Sequence, residues 1–182
     1  MISTRVIVVI GPSGSGKSTV GKLLASTLGW AFHEGDLFHP PENVARMRSG
    51  VPLGDAERAP WLAVLARRIA QHLAENTPAV LTCSALKRAY RDVLLGAATR
   101  AGGDTHAVRF VYLEADPDML AARLRNRQGH FFPPALLESQ LADLEEPAAD
   151  EAALAVDAAP LPQVIVERII ASLDLEETPG NN

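Results

Sequence analysis

A single cysteine, Cys83, stands in a chain of 182 residues. That scarcity excludes an internal disulfide and any metal site built from several cysteines. Its apolar neighbours mark it as a buried thiol of the core. Basic residues are also in the minority, with 17 Lys and Arg against 22 Asp and Glu and a formal net charge of -5. A nucleic-acid partner usually demands the opposite balance. No apolar run approaches the roughly 18 residues that would span a bilayer. The N-terminus leads directly into a first strand, so no signal segment is expected. There is no internal repeat, and the one biased stretch is the Ala-rich 148–159. What is there is ordinary for a soluble protein: 47% hydrophobic and 21% charged residues. The length suits one domain with a full core. Together these features lead us to expect a cytoplasmic enzyme.

The most informative stretch is VIVVIGPSGSGKS, residues 6–18. Val6 to Ile10 are apolar and mostly β-branched, the mark of a buried strand. Gly11-Pro12-Ser13-Gly14-Ser15-Gly16-Lys17-Ser18 follows and fits G-x-x-x-x-G-K-[ST]. Val20, Leu23, Leu24 and Leu28 then recur at helical spacing. A strand before the motif and a helix after it are the context that makes the pattern a P-loop rather than a polar turn. Glycines let a loop turn its N–H groups onto phosphate oxygens. The helix that follows aims its positive end at the same anion. The nucleotide-binding set is therefore Gly11, Ser13, Gly14, Ser15, Gly16, Lys17, Ser18 and Thr19. Lys17 is expected at the β- and γ-phosphates of ATP, and the Ser18 hydroxyl on Mg²⁺.

Further along, Gly29 is a candidate C-cap and residues 30–35 a short second strand. Asp36 follows at its carboxyl end, where ligands of open α/β sheets lie. It is a candidate for orienting a phosphoryl acceptor, with the alternative that it caps a helix starting near Pro41. Residues 41–49 read as a short helix. Helix resumes through 52–62, with Asp55 as its cap, and Leu62, Leu65, Ile69 and Leu73 carry it to about Glu75. Residues 79–83 form a third strand, and a helix over 87–99 sets Lys87 and Arg91 on one face. Two cations at a strand's carboxyl end suit an anionic substrate. Residues 107–113 make a fourth strand, and Asp116-Pro117 opens a helix with Asp116 as cap. Arg123, Arg125 and Arg127 then approach Gln128-Gly129-His130-Phe131-Phe132, which reads as an arginine-bearing flap with exposed aromatics. Residues 135–144 are helical, 153–157 a fifth strand and 163–173 a last helix. Trp61 reads as a packing residue rather than a sugar platform.

Beyond the P-loop, the blocks GDLFHP (35–40), SGVPLGDAERAPWL (49–62), CSALKRAYR (83–91), RLRNRQGHFF (123–132) and LEEPAADE (144–151) occur in order. In this combination the chain resembles the small gluconate kinases of the P-loop kinase superfamily, from the P-loop to the fifth strand. Glu57 and the pair Pro133-Pro134 are its small departures from that pattern. The resemblance implies an α/β mononucleotide-kinase-like fold, a five-stranded parallel sheet in the order 2-3-1-4-5 with helices on both faces. It implies a lid near 123–134 within one kinase domain over 1–174, while residues 175–182 read on their own as a disordered tail. It implies ATP-dependent phosphorylation of D-gluconate on its 6-hydroxyl, with Mg²⁺, in a cytoplasmic homodimer with neither nucleic-acid nor membrane partners. On it, Asp36 and Lys17 are catalytic, Arg127 is the foremost transition-state arginine and Arg123 the second. Asp36, His39, Arg58, Lys87, Arg91 and His130 contact the sugar acid, and the loop 157–162 packs against adenine. Which of Arg58, Lys87 and Arg91 takes the carboxylate stays open. Two other readings stand beside this one. A kinase for another small acceptor, such as shikimate or a nucleoside monophosphate, would share the P-loop and lid. A guanine-specific switch would need an N-K-x-D stretch that the chain lacks.

Overall fold

The computed structural model describes residues 4–100, 105–126, 132–151 and 153–176, apart from the side chains of residues 97 and 100. Five strands, β1 (Val6–Ile10), β2 (Ala31–Glu34), β3 (Ala79–Cys83), β4 (Val108–Glu114) and β5 (Ala153–Asp157), form one parallel sheet. Their order is β2-β3-β1-β4-β5, as expected. The helices are α1 (Lys17–Leu28), α2 (Pro41–Arg48), α3 (Asp55–Ala74), α4 (Arg88–Arg100), α5 (Pro117–Arg125), α6 (Pro134–Asp143) and α7 (Pro162–Ser172).

The centre of the sheet explains the apolar runs. Every residue of β1 and β3 is buried, because each has a neighbouring strand on both sides and a helix layer on both faces. Successive side chains alternate between those faces. Val6, Val8 and Ile10 pack with Trp61, Leu65 and Ile69 of α3 and Leu94 of α4. Ile7 and Val9 pack with Leu24 of α1 and with Ile165 and Ile169 of α7. A third, smaller cluster joins Leu120 and Leu124 of α5 to Leu137 of α6, with Phe132 against it.

The helix ends follow local chemistry. Gly29 closes α1 in the left-handed region, at φ 66° and ψ 28°. Asp116 caps α5 by accepting from the Met119 N–H at 2.8 Å. Asp55, expected as a cap, is instead the first residue of α3, and Gly54 is the N-cap. The Glu57 carboxylate reaches back to the Gly54 N–H at 2.9 Å, which is the service this glutamate performs. Pro133 and Pro134 start α6, the favoured place for proline in a helix. At the other end of the chain, the Leu175 N–H donates to the Ile170 carbonyl at 3.0 Å and its side chain joins the α1–α7 core. The rest of the expected tail, from residue 177, lies outside the described residues.

Two local contacts position the loops at the carboxyl edge. Gly35 passes so close to β3 that a Cβ there would lie 1.9 Å from the Thr82 carbonyl oxygen. Its N–H donates to Thr82 Oγ1 at 3.1 Å, and its carbonyl accepts from Trp61 Nε1 at 2.8 Å. On the far side, Arg91 is 1% exposed and forms a two-pronged ion pair with Glu151, at 2.5 and 2.8 Å. Arg91 also donates to the carbonyls of Ala85 and Leu86, at 3.0 and 3.3 Å. It thereby holds a turn in which Ala85 adopts a φ of 39°.

Gly35→Ala is expected to cost ~3 kcal/mol or more, read as a lowered denaturation midpoint, because backbone atoms of β3 must move. Glu151→Gln leaves a buried guanidinium without its counter-charge, at a cost of about 3 kcal/mol. The Glu151 carboxyl is held below its ordinary value, first by its hydrogen bond from Arg91. A depressed native pKa adds stability above the unfolded pKa that is lost as the pH falls through the folded one. The gap between wild type and Glu151→Gln in urea melts is therefore expected to be full at pH 7 and to shrink in the acid range.

Candidate active site

The P-loop leaves β1 and enters α1 through three glycines in the positive-φ region. They are Gly11 at 143°, Gly14 at 87° and Gly16 at 99°. Gly16 is the N-cap of α1 and brings no side-chain cap. A cavity of about 250 Å³ opens on this turn, lined by Gly14, Gly16, Lys17, Ser18 and Thr19, with Asp36 and Arg123. Glycine backbone, a helix N-terminus, a lysine and an arginine together make a site for a polyanion. The loop is braced from within. Ser15 Oγ and Lys17 Nζ both donate to the Pro12 carbonyl, at 2.8 and 2.9 Å. It is also braced from outside. Arg123 donates to the carbonyls of Ser15, at 3.3 Å, and of Ala158, at 2.7 Å. This arginine of α5 thus ties the phosphate loop to the loop after β5.

A second cavity, of about 220 Å³, lies beside the first, and Ser13, Lys17 and Asp36 belong to both walls. Asp36 sits in a 3-10 turn, Gly35–Phe38, that continues from β2. The N-cap of α2 is Pro40, so Asp36 does not cap that helix. Gly35, pinned to Thr82 and Trp61, sets where the carboxylate stands. Behind it, His39 stacks on Trp61, with centroids 4.1 Å apart and planes at 16°. Trp61 is buried in the α3 core and still lines the cavity, so it both packs and shapes the pocket. Burial, above all, pushes the His39 imidazole below its ordinary value, with Asp36 acting the other way. His39 is therefore mainly neutral at pH 7 and offers a hydrogen bond rather than a charge.

The cations sort themselves by position. Arg58 lines the second cavity, while Lys87 and Arg91 are not part of its wall. Arg58 is 6% exposed and donates to Asp143 at 2.9 Å and to the Tyr90 hydroxyl at 3.1 Å. Lys87 lies behind it, between Asp55 at 2.9 Å and Asp143 at 3.5 Å. The Tyr90 hydroxyl completes the set by donating to Asp55. Hydrogen bonding to Asp55 raises the Lys87 ammonium above its ordinary value. Hydrogen bonds from Tyr90 and then Lys87 lower the Asp55 carboxyl. Arg91 is a correction to the sequence reading. Helical spacing puts it near Lys87, but its guanidinium turns inward to Glu151 and the 85–86 carbonyls, so it leaves the set of substrate donors.

The remaining expected residues divide between the described and the undescribed. Arg127, His130 and Phe131 lie outside the described residues. Phe132 is half-buried against Leu120, Leu124 and Leu137, not exposed as the flap reading expects, and it closes one side of the second cavity. Three wall residues come from α6 and carry no sequence signal of their own: Leu136, Ser139 and Gln140. Spacing of three and four residues places them on one helix face, visible in the sequence only to a reader who knows that α6 turns toward the P-loop.

Comparison with known proteins agrees with this geometry. An AAA domain family model matches residues 6–147. The gluconokinase of Gluconobacter oxydans is 45% identical over 176 residues, spanning 97% of this chain and 95% of that one. A crystal structure of a gluconokinase from Sinorhizobium meliloti superposes with a TM-score of 0.80 at 44% identity, covering 95% of this chain and 92% of the other. An unliganded sugar kinase from Janibacter reaches a TM-score of 0.84 at 41% identity, over 94% of this chain and 95% of that one. With a P-loop on β1, an acidic turn on β2 and matches of this extent, the chain belongs to the gluconokinase family of P-loop kinases.

Proposed function

We propose that this protein transfers the terminal phosphoryl group of ATP to the 6-hydroxyl of D-gluconate, giving 6-phospho-D-gluconate and ADP. The observation that carries the reading is the shared wall. A phosphate cavity and an acceptor-sized cavity meet at Lys17 and Asp36, one cation and one carboxylate. Near-full-length similarity to gluconokinases supports the choice of acceptor.

In-line phosphoryl transfer asks mainly for positioning and charge neutralisation. The loop amides and Lys17 hold the β- and γ-phosphates. Asp36 accepts a hydrogen bond from the 6-hydroxyl, orients it and takes its proton as the bond to phosphorus forms. Arg58 receives the gluconate carboxylate, since a guanidinium offers paired donors to a planar anion. His39, neutral and fixed on Trp61, serves a hydroxyl. Lys87 acts through Asp143 and Asp55 rather than by touching the substrate. Arg123 holds the phosphate loop and adds positive charge to its cavity. Arg127 and His130 keep the roles that the family resemblance gives them, at the transferring phosphoryl group and at the acceptor. The loop 157–162 is proposed for adenine on the same ground.

Among the described residues, no group of three or more His, Cys, Asp or Glu gathers to hold a metal. Ser18 and Asp36 face the phosphate cavity. That sparse donor set fits a magnesium ion that would arrive with the nucleotide, and the Ser18 hydroxyl would be the protein group that holds it. When bound, the ion neutralises phosphate charge. A cytoplasmic homodimer is proposed on the resemblance alone. None of the described helices is long and apolar enough to cross a membrane.

Coupled ADP release, with ATP and Mg²⁺ and a panel of D-gluconate, shikimate, nucleoside monophosphates or no acceptor, tests the assignment. Turnover with gluconate alone is expected. Turnover with another acceptor overturns the substrate, and acceptor-independent release overturns the kinase. The division among the cations gives a second expectation. Arg58→Met should raise KM for gluconate roughly 10- to 100-fold, the size of a lost charged hydrogen bond. Lys87→Met should raise it less, because Arg58 keeps Asp143.

A further inference from the structure

Gln140 stands where α6 meets the phosphate loop. The Ser13 N–H donates to its Oε1 at 2.8 Å, and its Nε2 donates to Ser13 Oγ at 3.0 Å. Both functions of one amide are engaged with a single loop residue 127 positions away in sequence. Ser13 belongs to the walls of both cavities, whereas Gln140 lines only the acceptor cavity. Three residues further along α6, Asp143 holds Arg58. Gln140 and Asp143 lie on neighbouring turns of one face, about 4.5 Å apart along the axis. One helix face therefore touches the phosphate loop at one end and the proposed carboxylate donor at the other.

The mechanical consequence follows from the loop's composition. The tip of the loop lies among three glycines at positive φ, and such a segment has much freedom to lose. Internal bonds to the Pro12 carbonyl tie down Ser15 and Lys17. Ser13 is tied to α6, by both its backbone and its side chain. The position of the loop tip is thus referred to the wall of the acceptor cavity and not only to β1 and α1.

We propose that Gln140 is a positioning residue that couples the acceptor compartment to the phosphate loop. It makes the seat of the nucleotide phosphates depend on α6. The proposal deepens the kinase reading and rests on it for its kinetic consequence, but its effect on nucleotide binding is independent of which acceptor is used.

Gln140→Met tests it, since methionine keeps the length and bulk of the side chain and drops both hydrogen bonds. Ser13→Ala removes one partner, and the double variant closes a cycle. Calorimetric titration with a non-hydrolysable ATP analogue and Mg²⁺ gives the first readout. Gln140→Met is expected to weaken the analogue about tenfold, as two lost hydrogen bonds would. Ser13→Ala should weaken it less, and should cost less again once Gln140 is methionine than it does in the wild-type background. The thermal midpoint should stay within about 2 °C of wild type, which separates positioning from folding. In the coupled assay, kcat/KM for gluconate should fall about 100-fold, with kcat sharing in the loss. Wild-type affinity for the analogue in Gln140→Met, or an equal cost of Ser13→Ala in both backgrounds, overturns the proposal. A wild-type enzyme that binds the analogue and leaves gluconate untouched overturns the acceptor assignment instead, and the analogue titration still decides the role of Gln140.

Discussion

At residue 35 the chain runs so close to β3 that only glycine fits, and the placement of the Asp36 carboxylate depends on that contact. The Thr82 hydroxyl receives the Gly35 N–H and donates to Glu34, while the Trp61 indole holds the Gly35 carbonyl. Three elements, β2, β3 and α3, are locked together within a single peptide unit of Asp36. The same Trp61 supports His39 from behind, so a core residue of α3 becomes part of the second cavity's wall. The phosphate side is anchored separately, on β1 and α1. Because β1 and β3 are paired along their whole length, the two anchors are fixed relative to each other by sheet hydrogen bonds. Lys17 and Asp36 meet at one wall because β1 and β2, on either side of β3, end at the same edge of a rigid sheet.

Charge is arranged with similar economy. Arg58, Lys87, Asp55 and Asp143 form two opposed pairs, bridged by Tyr90. A lone buried guanidinium would be costly, and Asp143 offsets it while leaving Arg58 on the cavity wall. Arg91 and Glu151 form a further pair that serves the backbone, fixing the turn after β3 and the approach to β5. Arg58, on the cavity wall, and Arg91, turned to the backbone, thus have opposite duties.

Much of the fold is legible in the sequence because it depends on local pattern. The buried strands read from runs of β-branched residues, the P-loop from glycine spacing, the cap at Gly29 from glycine's backbone freedom and the cap at Asp116 from side-chain chemistry. The sheet order came from family resemblance, since single-chain periodicity does not rank neighbours. What was not legible depends on contacts between distant segments. Lys87 and Arg91 share a helix face by spacing, yet their partners, Asp55 and Asp143 for the one and Glu151 for the other, come from segments more than 30 residues away, and these decide which way each cation turns. Gln140 has no local signature, as its meaning lies in Ser13. Asp55 resembles a cap, but Gly54 already supplies the extended backbone, and the carboxylate is drawn to Lys87 and Tyr90.

The central claim is that transfer occurs where the two cavities meet, with Asp36 acting on the acceptor hydroxyl. Steady-state kinetics of Asp36→Asn with D-gluconate, beside titration of the same variant with an ATP analogue, tests it most directly. The account predicts a fall in kcat of roughly 10²- to 10⁴-fold, the range of lost general-base assistance, with analogue affinity close to wild type. A variant that keeps wild-type kcat, or one whose deficit lies wholly in nucleotide affinity, would contradict it.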